Sequence, residues 1–113
     1  MKKITCLLFL LFTVFSFSQS VTGEDELYNQ YEKADKELNI VYKKLKSKLT
    51  EKQKIELTDA QKAWIKFRDL NCKFISQGGD DGGGPYENKI KIDCLTQSTL
   101  ERTKELKDLL EDF

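Results

Sequence analysis

Histidine is missing from this sequence altogether, cysteine occurs three times, proline once, and neither sign of charge dominates, with 19 lysines and arginines against 19 aspartates and glutamates. Each scarcity removes a class of function. The absence of histidine takes away the commonest metal ligand and general base, and a pair of thiolates cannot by itself complete a tetrahedral zinc site. The balanced charge argues against nucleic acid, because domains that bind phosphate backbones concentrate Lys and Arg on one face. Setting aside Lys2 and Lys3, which precede the first apolar run, leaves 17 basic and 19 acidic residues and a formal charge of −2. No alternating apolar and polar stretch signals a strand. What remains, 39% hydrophobic and 34% charged residues in a chain of 113, suits a single soluble globular domain.

Long apolar runs are also scarce. The one present, Ile4 to Phe15, follows a basic start and extends for about a dozen residues, too few to span roughly 30 Å of hydrocarbon as a helix. It reads as the core of a signal peptide. Ser16 and Ser18 supply the small residues required before a cleavage point, so residues 1–18 are expected to be the signal peptide and residues 19–113 the mature domain. Cleavage after Ser20 is the alternative. An uncleaved anchor is disfavoured by the short run and its lack of stop-transfer charges. A lipoprotein is disfavoured because Cys6 lies at the start of the run and leaves with it. The expected location is periplasmic or secreted, with no membrane segment after cleavage. Cys72 and Cys94 then remain in an oxidising compartment, where they are expected to form one disulfide. Closing such a loop is worth about 3 kcal/mol in the chain-entropy model.

From Glu24, the residues Leu27, Tyr31, Ala34, Leu38, Val41, Tyr42, Leu45 and Leu49 recur at intervals of three and four, the pattern of one helical face extending to Leu49. Thr50 with Gln53 forms a capping-box signature that ends this helix and starts another. The second stripe reads Leu57, Ala60, Trp64, Phe67, Asn71 and Phe74, and the helix is expected to end near Ser76. The stretch QGGDDGGGP, from Gln77 to Pro85, holds five glycines and excludes a regular element. Pro85 suits the first turn of a third helix, with the stripe Ile92, Leu95, Thr99, Arg102, Leu106, Leu109 or Leu110, and Phe113. The fold class is therefore all-α, an up-down-up three-helix bundle with one disulfide beside the glycine-rich stretch.

Polar residues interrupt these inward stripes. Asp35 and Asn39 share spacing with Tyr31, Leu38 and Tyr42; Gln61 and Arg68 flank Trp64; Thr99 and Arg102 break the third stripe. At about 1.5 Å of rise per residue, Asp35, Trp64 and Arg102 fall at similar heights, which predicts a buried polar layer with Asp35 facing Arg102. Such a layer fixes helix register. A catalytic reading would need a histidine, a free thiol or paired acids on one face, and no reaction class comes together.

The segment AQKAWIKFRDLNC (60–72), with DKELNIVYKKL (35–45) before it and CLTQSTLERTKEL (94–106) after it, resembles the lysozyme-inhibitor LprI-like N-terminal domain family over nearly the whole mature chain. The pattern comprises Asp-x-x-Leu-Asn-x-x-Tyr, then Ala-Gln-x-x-Trp-Ile-x-Phe-Arg-Asp-x-x-Cys, a glycine-rich gap, and a Cys followed by Thr and Arg five and eight residues later. The resemblance implies an envelope protein that binds and blocks lysozyme or another wall-degrading enzyme, without cofactor, metal or chemistry of its own. Lysozymes of the animal type are basic proteins with two carboxyls in a cleft, so Asp80 and Asp81 are the candidate partner-binding residues. Two adjacent aspartates lack the alternating ligands of a calcium loop. The lysine-rich stretch from Lys43 to Lys54 reads as a solvated face. A non-catalytic envelope interaction module is the competing reading, and a hydrolase the least favoured.

Overall fold

The computed structural model describes residues 23–78 and 85–113; the expected signal peptide, Asp80 and Asp81 lie outside the described residues. Three helices account for the fold: α1 (Gly23–Lys46), α2 (Glu51–Ser76) and α3 (Pro85–Leu110). In α1, Glu24, Asp25 and Glu26 occupy the first turn and Lys43, Lys44 and Lys46 the last, which complements the helix dipole at both ends. The helix stops three residues short of the expected Leu49. There the Ser47 hydroxyl donates to the Lys44 carbonyl at 2.6 Å, while the amides of Lys48 and Leu49 bond three residues back and tighten the last turn. Thr50 is extended and caps α2: its hydroxyl accepts from the Gln53 amide at 3.3 Å, and Gln53 Oε1 accepts from the Thr50 amide at 2.9 Å.

Cross-helix bonds fix the directions of the helices. Asn88 donates to Glu24, and Lys107 Nζ lies 2.7 Å from Glu37 Oε1, so α1 and α3 run parallel. Gln61 meets Arg102, Arg68 meets Thr99 and Cys72 bonds Cys94, so α2 runs against α3. The bundle is up-down-up, with α3 in the middle: α1 and α2 each lie along it and meet one another mainly through side chains, such as Tyr42 Oη and Thr58 Oγ1 at 3.1 Å. The apolar core gathers at one end. Leu38, Val41 and Leu45 of α1 surround Leu106, and Tyr42, Leu49, Leu57, Trp64 and Leu110 close over them. The other end is tied by the disulfide Cys72–Cys94, whose Cα atoms are 5.5 Å apart.

The inward face of α2 differs from the expected stripe. Gln61, Arg68, Cys72 and Ser76 are buried and Leu57, Trp64 and Asn71 half-buried, whereas Ala60, Phe67 and Phe74 face solvent. The cause is the disulfide. Cys72 must point at α3, and the residues four and eleven positions before it, Arg68 and Gln61, share its face by helical geometry. That rotation carries the phenylalanines outward. On α3, Ile92, Thr99 and Leu106 are buried as expected, Leu95, Arg102 and Leu110 are half-buried, and Thr96 and Thr103 join the interior, while Leu109 and Phe113 remain exposed. A helix with two neighbours buries a wider face. Thr96 and Thr103 fit there because each hydroxyl donates to its own helix, at the carbonyls of Ile92 and Thr99.

Candidate functional site

The middle of the bundle is polar, and Trp64 lies at its centre. Arg68 and Arg102 stand over the indole, their guanidinium carbons 5.1 and 5.9 Å from the ring centroid, and Arg68 is also 5.7 Å from the Tyr31 ring. Stacking on aromatic faces suits guanidinium, which loses less hydration than ammonium when it leaves water. Arg68 is buried, its side chain 7% exposed, and each guanidinium nitrogen is engaged: Nε and Nη2 each lie 2.9 Å from Asp69 Oδ1, and Nη1 donates to Thr99 Oγ1 at 3.3 Å. Asp35 stands at the edge, its Oδ1 3.9 Å from Arg68 Nη1. Arg102 Nε donates to Gln61 Oε1 at 3.0 Å, and its Nη1 reaches Glu105 at 2.9 Å.

Gln61, Trp64, Arg68, Thr99 and Arg102 thus come together in one layer. The expected pairing of Asp35 with Arg102 does not form. Arg68 intervenes because the rotation of α2 points it inward between α1 and α3, and Arg102 turns to Gln61 and Glu105 instead. Asn39 is exposed and, among the described residues, bonds only within α1, to Asp35 at 3.4 Å. Two members of the layer escaped the sequence reading. Tyr31 was legible as a core residue but not as the second aromatic face for Arg68. Asp69 adjoins Arg68 in the chain, a spacing at which helix side chains normally diverge. Burial pushes the Tyr31 hydroxyl pKa up, with the neighbouring Arg68 charge pulling the other way.

A groove of about 180 Å³ between α1 and α2 opens over this layer, lined among others by Asp35, Asn39, Tyr42, Gln61 and Arg68. No buried side-chain nitrogen or oxygen among the described residues lacks a hydrogen-bond partner. Such a layer holds helices in register. Among the described residues no three His, Cys, Asp or Glu side chains gather as a metal site, and no helix is long and apolar enough to cross a membrane.

An uncharacterized protein of Rhizobium meliloti (strain 1021) is 35% identical over 95 residues, covering 72% of this chain and 66% of the relative, just under two thirds of the relative's length. No solved structure matches the chain. The family model of the lysozyme inhibitor LprI matches residues 18–106, a span that takes in α1, α2, the disulfide and the polar layer. That span is well over half of the sequence, and the chain belongs to the LprI lysozyme inhibitor family.

Proposed function

We propose that this protein acts outside the cytoplasm as a non-catalytic inhibitor of a lysozyme or a related wall-degrading enzyme, entering the enzyme's cleft and occluding it. The observation that carries the reading is the family match over residues 18–106. Export rests on the basic start and short apolar run of residues 1–18, and on a disulfide of the kind that persists in oxidising compartments. Asp80 and Asp81 are the proposed contacts. They fall in the stretch between α2 and α3, the two helices that Cys72 and Cys94 join, and binding residues are commonly borne by loops on rigid scaffolds. A basic enzyme with carboxyls in its cleft is drawn to acidic surface, which speeds encounter more than it adds affinity.

The test is the clearing of a peptidoglycan suspension by lysozyme with the purified, oxidised protein titrated in. Saturable inhibition supports the reading; its loss in the Asp80→Ala/Asp81→Ala variant assigns the contact. Unchanged inhibition in that variant moves the contact to the helices. No inhibition at any ratio overturns the lysozyme reading in favour of an envelope module with another partner.

A further inference from the structure

The outward face of α2 is apolar. Phe67, Leu70 and Phe74 are 64%, 57% and 75% exposed, and Ala60 and Ala63 continue the same face toward the N-terminus. Positions 60, 63, 67, 70 and 74 follow the alternating three- and four-residue spacing by which one helix packs lengthwise on another. This stripe is separate from the face that holds Gln61, Arg68 and Cys72. It also has small residues at one end and large ones at the other, so that two copies laid head to tail set Phe side chains opposite Ala.

Charge along the stripe has the same polarity. Glu56 and Asp59 flank its N-terminal end, and Lys66 and Lys73 flank its middle and C-terminal end, all exposed. Asp59, Lys66 and Lys73 make no ion pair among the described residues. Pairing of two copies in parallel would set Asp59, Lys66 and Lys73, which share one flank of the stripe, against the opposite flank of the other copy, where Leu57, Trp64 and Asn71 offer no charge. Antiparallel pairing centred near Phe67 instead sets Asp59 of each copy beside Lys73 of the other, two opposite-charge pairs against the single approach of Lys66 to its own copy at the axis. We infer that α2 is the interface of a two-fold antiparallel homodimer, with Phe67, Leu70 and Phe74 as its apolar seam. The inference does not rest on the lysozyme reading.

The seam is about 21 Å long, the length of fifteen helical residues, so the contact is narrow and belongs with weak, concentration-dependent interfaces. Dissociation is expected at about ten to a hundred micromolar. Sedimentation equilibrium of the purified, oxidised protein should show one chain on dilution and two at high concentration. Phe67→Glu/Phe74→Glu should give a monomer at every concentration, with helical circular dichroism and disulfide unchanged. Because two outward glutamates could disturb folding, a charge exchange provides the second arm. Asp59→Lys or Lys73→Asp alone should weaken association by about five- to tenfold, and the two together should restore it. A wild-type protein that stays monomeric up to about a millimolar, or a dimer indifferent to both sets of changes, overturns the inference. So does a monomer whose Phe67→Glu/Phe74→Glu variant no longer inhibits lysozyme, which would give the stripe to the enzyme.

Discussion

At Arg68, a buried residue, the guanidinium sits between Trp64 and Tyr31, held by Asp69 and Thr99. Ion pairs of this kind contribute little beyond an apolar replacement of similar volume, yet truncating one strands its neighbours. Arg68→Ala is therefore expected to cost about 2–3 kcal/mol and Arg68→Met less than about 1 kcal/mol, read from urea unfolding midpoints. Equal losses would mean that shape filling at this position does not matter. Two groups contribute to the pH limbs. Burial raises the Tyr31 pKa above its ordinary 10.0, so the folded chain keeps a proton that the unfolded chain gives up. Its contribution is intact below that ordinary value and is lost as pH rises through the raised one, and Tyr31→Phe should flatten the alkaline limb of a stability profile. The Glu37 pKa is lowered, first by the hydrogen bond from Lys107 and then by the lysine's charge. Its contribution is present above the ordinary 4.5 and is lost as pH falls through the lowered value; Glu37→Gln should flatten the acid limb slightly, the pair being exposed.

Among the elements, α2 carries the most information for its length. Its capping box is complete, and Thr50→Ala should lower stability by about 1 kcal/mol in thermal or urea unfolding. No change would show that the neighbouring turn holds the helix end without the cap. The start of this helix was legible because Thr50 and Gln53 act locally. Its rotation was not, because apolar-in patterning favours Phe67 and Phe74 over Gln61 and Arg68. Two remote partners decide otherwise: Cys94 draws Cys72 inward, and Thr99 receives Arg68. In α1 the stripe Ala34, Leu38, Val41, Leu45 was fully legible, since that helix packs on α3 through one apolar face. In α3 it was partly legible, because its threonines satisfy their hydroxyls within the helix and enter the core disguised as polar residues.

For the whole molecule, topology followed from one glycine-rich stretch and one tight turn, which leave three long helices few ways to pack. Of the polar layer, Gln61, Trp64, Arg68, Thr99 and Arg102 were legible, but not Tyr31 or Asp69, nor the pairing, which depends on the rotation of α2. Because the apolar core lies at one end, the disulfide secures the other, and Cys72→Ser/Cys94→Ser should cost about 3 kcal/mol of stability in urea unfolding under oxidising conditions. Little or no loss would mean that Ile92, Thr96 and their neighbours hold that end unaided. The proposed role of this scaffold, blocking a wall-degrading enzyme, is open to test by the turbidity titration of lysozyme on peptidoglycan. Inhibition should saturate at a fixed molar ratio of protein to enzyme. Undiminished clearing by both animal-type and goose-type lysozymes at a large excess of folded, oxidised protein would contradict it.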